Sequence, residues 1–412
     1  MPVSRGSIHH SIVEDALALG TSIFLRQSCH QPSLSQRENA EHTIANYFQV
    51  KRSVLLPYAR TCFYAILKSL NMPPGTEVLM TPFNISPMLH IVYSLGLKPK
   101  FVDINLSDFG PKYQELERAL ADKPGCFLLT YLFGSIPNIR LIADLCKKYQ
   151  VFLVEDISQG IGGAYENIYL GTFGDAAIYS ASITKYVDGY NGAFILTNHD
   201  SLYKDVKQFT TNLRKPSSKR IRLIIFKTLI WNVALSRFTF NLITFPILML
   251  LRWFARPLFE NLLGPSIKAD FSKQLPEYYF EDVSLIQVDT ILASLKKLKS
   301  LVSSRKKDAS RLIQSLAELK DGNTLKVAIS KDLSIDSSTF WQLVAYVGNT
   351  KKAQDALFVA GIETGITNLP DLASLCGITL ENALRLKSQY IFLPLHSHLK
   401  TFHYKQILKS IL

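Results

Sequence analysis

The chain is predicted to be an α/β protein: a mostly parallel central sheet with helices on both faces, a smaller C-terminal α+β unit, and an apolar helical insert. Three observations predict this. Between about residues 60 and 200, six short apolar runs alternate with helix-like segments, as expected for strands joined by crossover helices. Residues 216–265 interrupt that alternation with a stretch both apolar and basic. At 412 residues and 47% hydrophobic side chains, the chain is long enough to bury a large core and to divide into two or more domains.

Taken in order, the runs are Glu77–Met80, Lys100–Asp103, Cys126–Thr130, Val151–Val154, Ala176–Tyr179 and Ala193–Leu196, each of strand length. A helical run from Phe63 to Leu70 precedes the first. In open α/β sheets ligands collect beyond the carboxyl ends of the strands. Asp156 and Ser180 fall just past a strand and Thr61 stands ahead of a helix, which makes them places for a ligand. The large unit is expected to cover 1–275, interrupted by the insert at 216–265, and the small unit 276–412. The small unit reads as a long Lys-rich helix, Val283–Leu319, followed by a strand over Thr339–Tyr346. The sequence carries no internal repeat or low-complexity tract.

Net charge is +13, and its distribution decides what it means. Residues 201–265 hold eleven Lys or Arg against only Asp205 and Glu260, in the most apolar part of the chain. A nucleic-acid surface would mix basic with polar residues and separate its stacking aromatics, so an anionic membrane is expected and nucleic acid is not. Cys29, Cys62, Cys126, Cys146 and Cys376 are scattered without metal-ligand spacing, so no disulfide framework and no metal site is expected. A reducing, cytoplasmic setting fits them. The opening residues run into His9, His10, Glu14 and Asp15, unlike the uninterrupted apolar core of a secretory signal.

Lys185, at the end of Ser180-Ala181-Ser182-Ile183-Thr184-Lys185, stands 29 residues after Asp156. Singly, the first reads as a solvated surface lysine and the second as a helix N-cap. Together they fit a pyridoxal phosphate site, which needs a lysine amine to condense with the aldehyde and a carboxylate beside the ring nitrogen. The phosphate needs N–H groups at a helix start and hydroxyl donors; Thr61, Cys62 and Ser180 are the candidates. Gln159 is the candidate donor to the phenolic oxygen. Thr61, Cys62 and Ser180 alone read more readily as ordinary caps or turns and Gln159 alone equally as a solvent-facing residue, so the set carries the reading.

Glu155-Asp156-Ile157-Ser158-Gln159, Gly171-Thr172-Phe173-Gly174-Asp175, Ser180 and Thr184-Lys185 resemble the DegT/DnrJ family of nucleotide-sugar aminotransferases, pyridoxal phosphate enzymes of fold type I. Weaker echoes are Pro74 to Val78, Phe101-Val102-Asp103, Tyr131-Leu132-Phe133-Gly134 and Leu393-Pro394-Leu395-His396, so the resemblance covers most of the chain. It implies Lys185 as Schiff-base lysine and proton shuttle, Asp156 at the ring nitrogen, Gln159 at the phenolic oxygen, and Ser180, Thr61 and Cys62 at the phosphate. It also implies a homodimer that moves an amino group, from glutamate, to a nucleotide-linked keto sugar in surface polysaccharide biosynthesis. Four departures stand out. Arg60-Thr61-Cys62 replaces the family's usual Gly-Thr-Ala, so Arg60 offers charge to the phosphate. Ile85 replaces an aromatic that stacks on the ring, Phe280 aligns with an asparagine that reaches a neighbouring subunit, and the loop Tyr186 to Gly192 is shorter. Rival readings are a pyridoxamine-dependent sugar dehydratase, whose relatives carry histidine in place of Lys185, an inactive membrane-associated scaffold protein, and an acyl-transferring enzyme acting on a membrane lipid.

From Thr228 to Leu251 the insert carries one charge, Arg237. That approaches the roughly 20 apolar residues of a membrane span. A single crossing would separate the two halves of one enzyme, so an interfacial or re-entrant helical hairpin over 220–256 is expected instead, on the inner face of the membrane. Basic flanks at Lys219-Arg220-Ile221-Arg222 and Arg252 to Arg256 favour anionic headgroups by about 1 kcal/mol per cation. A hydrophobic arm buried in an oligomer interface is the alternative.

Overall fold

The computed structural model describes residues 2–263, 271, 274–318, 338–367, 369–395, 399, 402, 403, 405 and 407. Its frame is a seven-stranded sheet of β1 (Arg52–Leu56), β2 (Glu77–Met80), β3 (Lys98–Phe101), β4 (Cys126–Thr130), β5 (Phe152–Asp156), β8 (Ala176–Ser180) and β9 (Ala193–Thr197). A hairpin of β6 (Ala164–Tyr165) and β7 (Ile168–Tyr169) lies outside it. The order is β1-β9-β8-β5-β4-β2-β3. Only β9 runs against the others, pairing antiparallel with both β1 and β8, so the mostly parallel sheet expected from the alternating runs is present.

Both faces of this sheet are covered, which is why its strands read as continuous apolar runs. The strand period of two sorts their side chains: Phe127, Leu129 and Leu153 enter one core layer, Cys126, Leu128 and Val154 the other. The first layer is covered by α2 (Leu34–Phe48), α5 (Tyr113–Ala121) and α6 (Ile139–Tyr149), the second by α3 (Ala59–Ser69), α4 (Ser86–Ser94) and α7 (Asp200–Thr210). Ahead of them α1 (Ile12–Phe24) starts at a capping box in which Ser11 accepts from the Glu14 amide and Glu14 accepts from the Ser11 amide. The same device starts α2 at Ser33 and Gln36.

The insert is helical: α8 (Ser218–Leu235), the single turn α9 (Arg237–Thr239), a π-helical turn over Phe240–Thr244, α10 (Phe245–Phe254) and α11 (Arg256–Leu263). Pro246 stands in the first turn of α10, where a missing amide is tolerated, and Arg237 opens α9. Among the described residues no single helix is long and apolar enough to cross a membrane; only Ser218–Leu235 together with Arg237–Phe254 reaches that length and composition, bent by 59°.

The long helix α12 (Leu285–Glu318) bridges two regions. Val288, Ile291, Leu295, Leu298 and Val302 join the first core layer, whereas Ala309 and Leu312 join a C-terminal cluster with Leu343, Ala345, Ile391 and Leu393. That cluster contains the antiparallel pair β10 (Leu343–Tyr346) and β11 (Tyr390–Leu393), packed with α13 (Thr350–Val359); α14 (Leu372–Leu375) and α15 (Glu381–Gln389) complete the elements. The strand expected over Thr339–Tyr346 therefore begins only at Leu343. Residues 339–342 form a loop because Phe340 takes a positive φ of 50° and the carbonyls of Phe340 and Trp341 turn to accept from Arg305. Val3 bonds to both Gly361 and Glu363, which ties the N-terminal segment to this C-terminal region.

Candidate active site

The carboxyl ends of β5 and β8 bring the site together. Glu155, the penultimate residue of β5, is buried and accepts from the amides of Gly171 (2.9 Å), Phe173 (2.8 Å) and Gly174 (2.6 Å) and from the Tyr131 hydroxyl (2.6 Å). Burial alone pushes this carboxyl up, and the four donors oppose it. The Gly171–Asp175 turn thus holds the end of the strand that carries Asp156. Gly174 is required there, since a Cβ would lie 2.7 Å from the Leu153 carbonyl.

Asp156 is buried, and its two oxygens accept from the Asn84 side-chain amide (3.0 Å) and the Ser158 backbone amide (3.0 Å). Asn84 also donates to Thr130 (2.8 Å), so one side chain joins the ends of three neighbouring segments. Ser158 in turn accepts from the Ser180 amide (3.1 Å), and the Ser180 hydroxyl points to that of Ser182 (3.2 Å). Gln159 is buried and accepts from the Phe133 amide (2.6 Å).

Lys185 keeps part of its surface accessible, while its Nζ lies among protein atoms 4.0 Å from the centre of the Trp341 ring. Trp341 is held in place by donating its indole N–H to the Thr184 carbonyl at 3.2 Å. Loss of hydration lowers the amine to about 8, with the negative charge of Asp156 opposing the shift. Such a lysine is readily neutral, and a neutral amine is what condenses with an aldehyde.

The helix start behaves less simply. Tyr58 is the N-cap and Ala59 the first helical residue of α3, so the Cys62 amide already donates to the Tyr58 carbonyl (3.0 Å), and its thiol is fully buried in the apolar core. The Cys62 amide, expected to serve a phosphate, therefore already has an acceptor within the chain. The Thr61 hydroxyl donates to the Tyr279 carbonyl at 2.6 Å. Arg60 lies over the rings of Tyr58 (4.2 Å) and Tyr279 (4.5 Å), and its buried Nε has no partner. An orphaned guanidinium nitrogen beside a helix N-terminus fits a phosphate. Lys185, Asp156 and Arg60 thus have the chemistry to meet the aldehyde, the ring nitrogen and the phosphate of pyridoxal phosphate.

Ile85 caps α4, and Phe280 packs inside its own chain against Tyr64. His396 of the C-terminal echo lies outside the described residues. Sequence reasoning missed Asn84 and Trp341; neither sits in a motif, and each reaches the site only through folding. A separate cleft of about 750 Å³, lined by Arg140, Lys147, Asp175 and His199, opens at the opposite end of the strands and does not include Lys185.

The fold and site define an α/β protein built as fold type I aminotransferases are. Residues 33–223 match the DegT/DnrJ/EryC1/StrS aminotransferase family. It is similar to the pleiotropic regulatory protein of Geobacillus stearothermophilus, 29% identical over 43% of this chain and 48% of that one. The match spans about half the length of the curated relatives. Two solved structures share the fold. The Helicobacter pylori aminotransferase PseC aligns at a TM-score of 0.70 and 17% identity, covering 100% of this chain and 98% of that one. The E. coli GDP-4-keto-6-deoxy-D-mannose-3-dehydratase with bound hydrated PLP aligns at 0.72 and 16%, covering 100% and 99%.

Proposed function

We propose that the chain is a pyridoxal phosphate-dependent aminotransferase, with glutamate as amino donor and a nucleotide-linked keto sugar as acceptor, acting in surface polysaccharide biosynthesis. The observation that carries this reading is Lys185 itself: a desolvated amine near neutrality, under Trp341 and in the field of Asp156. Bound there, the cofactor supplies an electron-accepting ring that stabilises negative charge on the carbon bearing the transferred nitrogen. Lys185 Nζ would move a proton between that carbon and the cofactor carbon on the far side of the nitrogen, a general acid/base role worth roughly 10²–10⁴-fold. Asp156 would keep a positive ring nitrogen in place, Gln159 would serve the phenolic oxygen, and Arg60 with Ser180 and the Thr61 amide would hold the phosphate. Trp341 keeps water from the amine. The large unit (1–275) carries these groups and the small unit (276–412) closes over them through Trp341.

The dehydratase reading draws on structural neighbours that are sugar dehydratases, but it calls for histidine at the position of Lys185. Visible absorbance of the purified protein with added pyridoxal phosphate tests the proposal. Wild type is expected to gain a band that Lys185→Ala lacks, and glutamate is expected to bleach it. A band absent from both proteins, or one indifferent to every amino donor, refutes the reading.

We further infer a cytoplasmic homodimer whose 220–256 segment touches the inner face of an anionic membrane. Support comes from α8 and α10, which leave Leu223, Phe226, Ile230, Ile247 and Leu250 exposed in a stretch with no Asp or Glu from 206 to 259.

A further inference from the structure

The N-terminal helix α1 is a second apolar surface that the membrane reading of 220–256 does not include. Its inner face packs along α8, where Ala18 and Leu19 meet Ile221, Ile224 and Ile225. Its outer face carries Val13 (66% exposed), Leu17 (65%) and Phe24 (84%), at the i, i+4, i+11 spacing of one helical stripe. Ile23 and Leu25 extend it at the C-terminal end. On the insert, Trp253 (75%) and Phe254 (85%) are exposed to a similar degree. Soluble monomers rarely leave so many large apolar side chains open.

α1 is not a loose arm. The buried carboxylate of Asp15 accepts from the Tyr190 hydroxyl (2.7 Å) and from the Asn232 amide of α8 (2.8 Å), and pairs with His10 (3.1 Å). Asn232 also donates to the His10 carbonyl, and His10 reaches the Asp188 carbonyl in the loop that follows Lys185. A polar network thus locks α1 and α8 to each other and to the body of the protein, so the two helices present their outer faces as one unit.

Charge identifies the occupant. The one exposed acid of α1, Glu14, is paired with Lys297, and Asp15 is buried, while Lys219 and Lys227 are exposed on α8. A second copy of this chain would bring the same cations against these, whereas anionic headgroups complement them and exposed Trp and Phe suit the interfacial zone. We propose that α1 and the insert helices both dock on an anionic lipid bilayer, with Val13, Leu17 and Phe24 entering it as well as Trp253 and Phe254. The proposal extends the membrane contact read above for 220–256, and its failure is separable from that of the narrower reading.

Vesicle flotation of the full chain tests it, with phosphatidylglycerol-containing vesicles against pure phosphatidylcholine. Three proteins are compared: wild type, a triple variant Val13→Glu, Leu17→Glu, Phe24→Glu with the insert intact, and a double variant Trp253→Glu, Phe254→Glu with α1 intact. All substituted residues are exposed, and thermal unfolding serves as the check that each variant folds. The expected result is flotation of wild type with the anionic vesicles, loss with added salt, and about tenfold weaker binding for each variant at unchanged melting temperature. Wild-type binding by the triple variant overturns the role of α1 and leaves the insert contact standing. Failure of wild type to float overturns both. Assembly of wild type into a larger oligomer in lipid-free buffer, dissolved by either variant, overturns the lipid occupant in favour of a second copy.

Discussion

Lys185 shows how burial prepares a residue for chemistry. With its amine lowered from 10.5 to about 8, the folded protein binds fewer protons than the unfolded chain between those values. Stability therefore rises with pH across that window, and the cost of burying the amine is fully present below pH 8. Replacing Lys185 with Met should stabilise the cofactor-free protein at pH 7 by on the order of 1–3 kcal/mol, read by urea unfolding. The rate at which wild type takes up pyridoxal phosphate should rise through a midpoint near pH 8; a midpoint near that of an ordinary lysine would falsify the desolvated amine. Asn84 acts on the opposite charge. Asn84→Ala removes one of the two donors to the buried Asp156 carboxylate and should destabilise the protein by about 1–3 kcal/mol. Lys185, Asp156 and Gln159 were legible in the sequence because their residue types and spacing are chemical requirements. Asn84 was not, since an asparagine near a strand end is most often a turn residue.

At the scale of elements, the six apolar runs became strands because a sheet covered on both faces selects continuous apolar segments. Periodicity carries no sign of direction, so the reversal of β9 was not legible. The strand expected from Thr339 failed for a different reason: Gly134 and its neighbours bind the loop. Thr339 and the Phe133–Gly134 turn exchange contacts through the Gly134 carbonyl, which accepts from the Thr339 amide at 2.9 Å. Gly134 has φ +82°, and a Cβ there would lie 2.1 Å from Thr339 Oγ1 and 2.9 Å from the Trp341 amide. Gly134→Ala should cost more than about 2 kcal/mol and shift Trp341 away from Lys185, seen as changed tryptophan fluorescence alongside a lower urea midpoint.

Over the whole molecule, distant segments are pinned by a few buried polar pairs. Arg37 of α2 pairs with the buried Asp282 just ahead of α12 and also donates to the Leu55 carbonyl at the end of β1. Asp282→Ala strands that guanidinium and should destabilise the fold by about 3–5 kcal/mol, with loss of cooperativity between large and small units in calorimetry. The sequence by itself determined the chemistry on offer and the local elements, since residue type, spacing and hydrophobic period act between near neighbours. Tertiary structure alone decided that Cys62 is core, that Trp341 covers Lys185, and that α1 lies along α8. Those contacts join residues far apart in the chain, where no local period records the partner and only packing and satisfied hydrogen bonds select it.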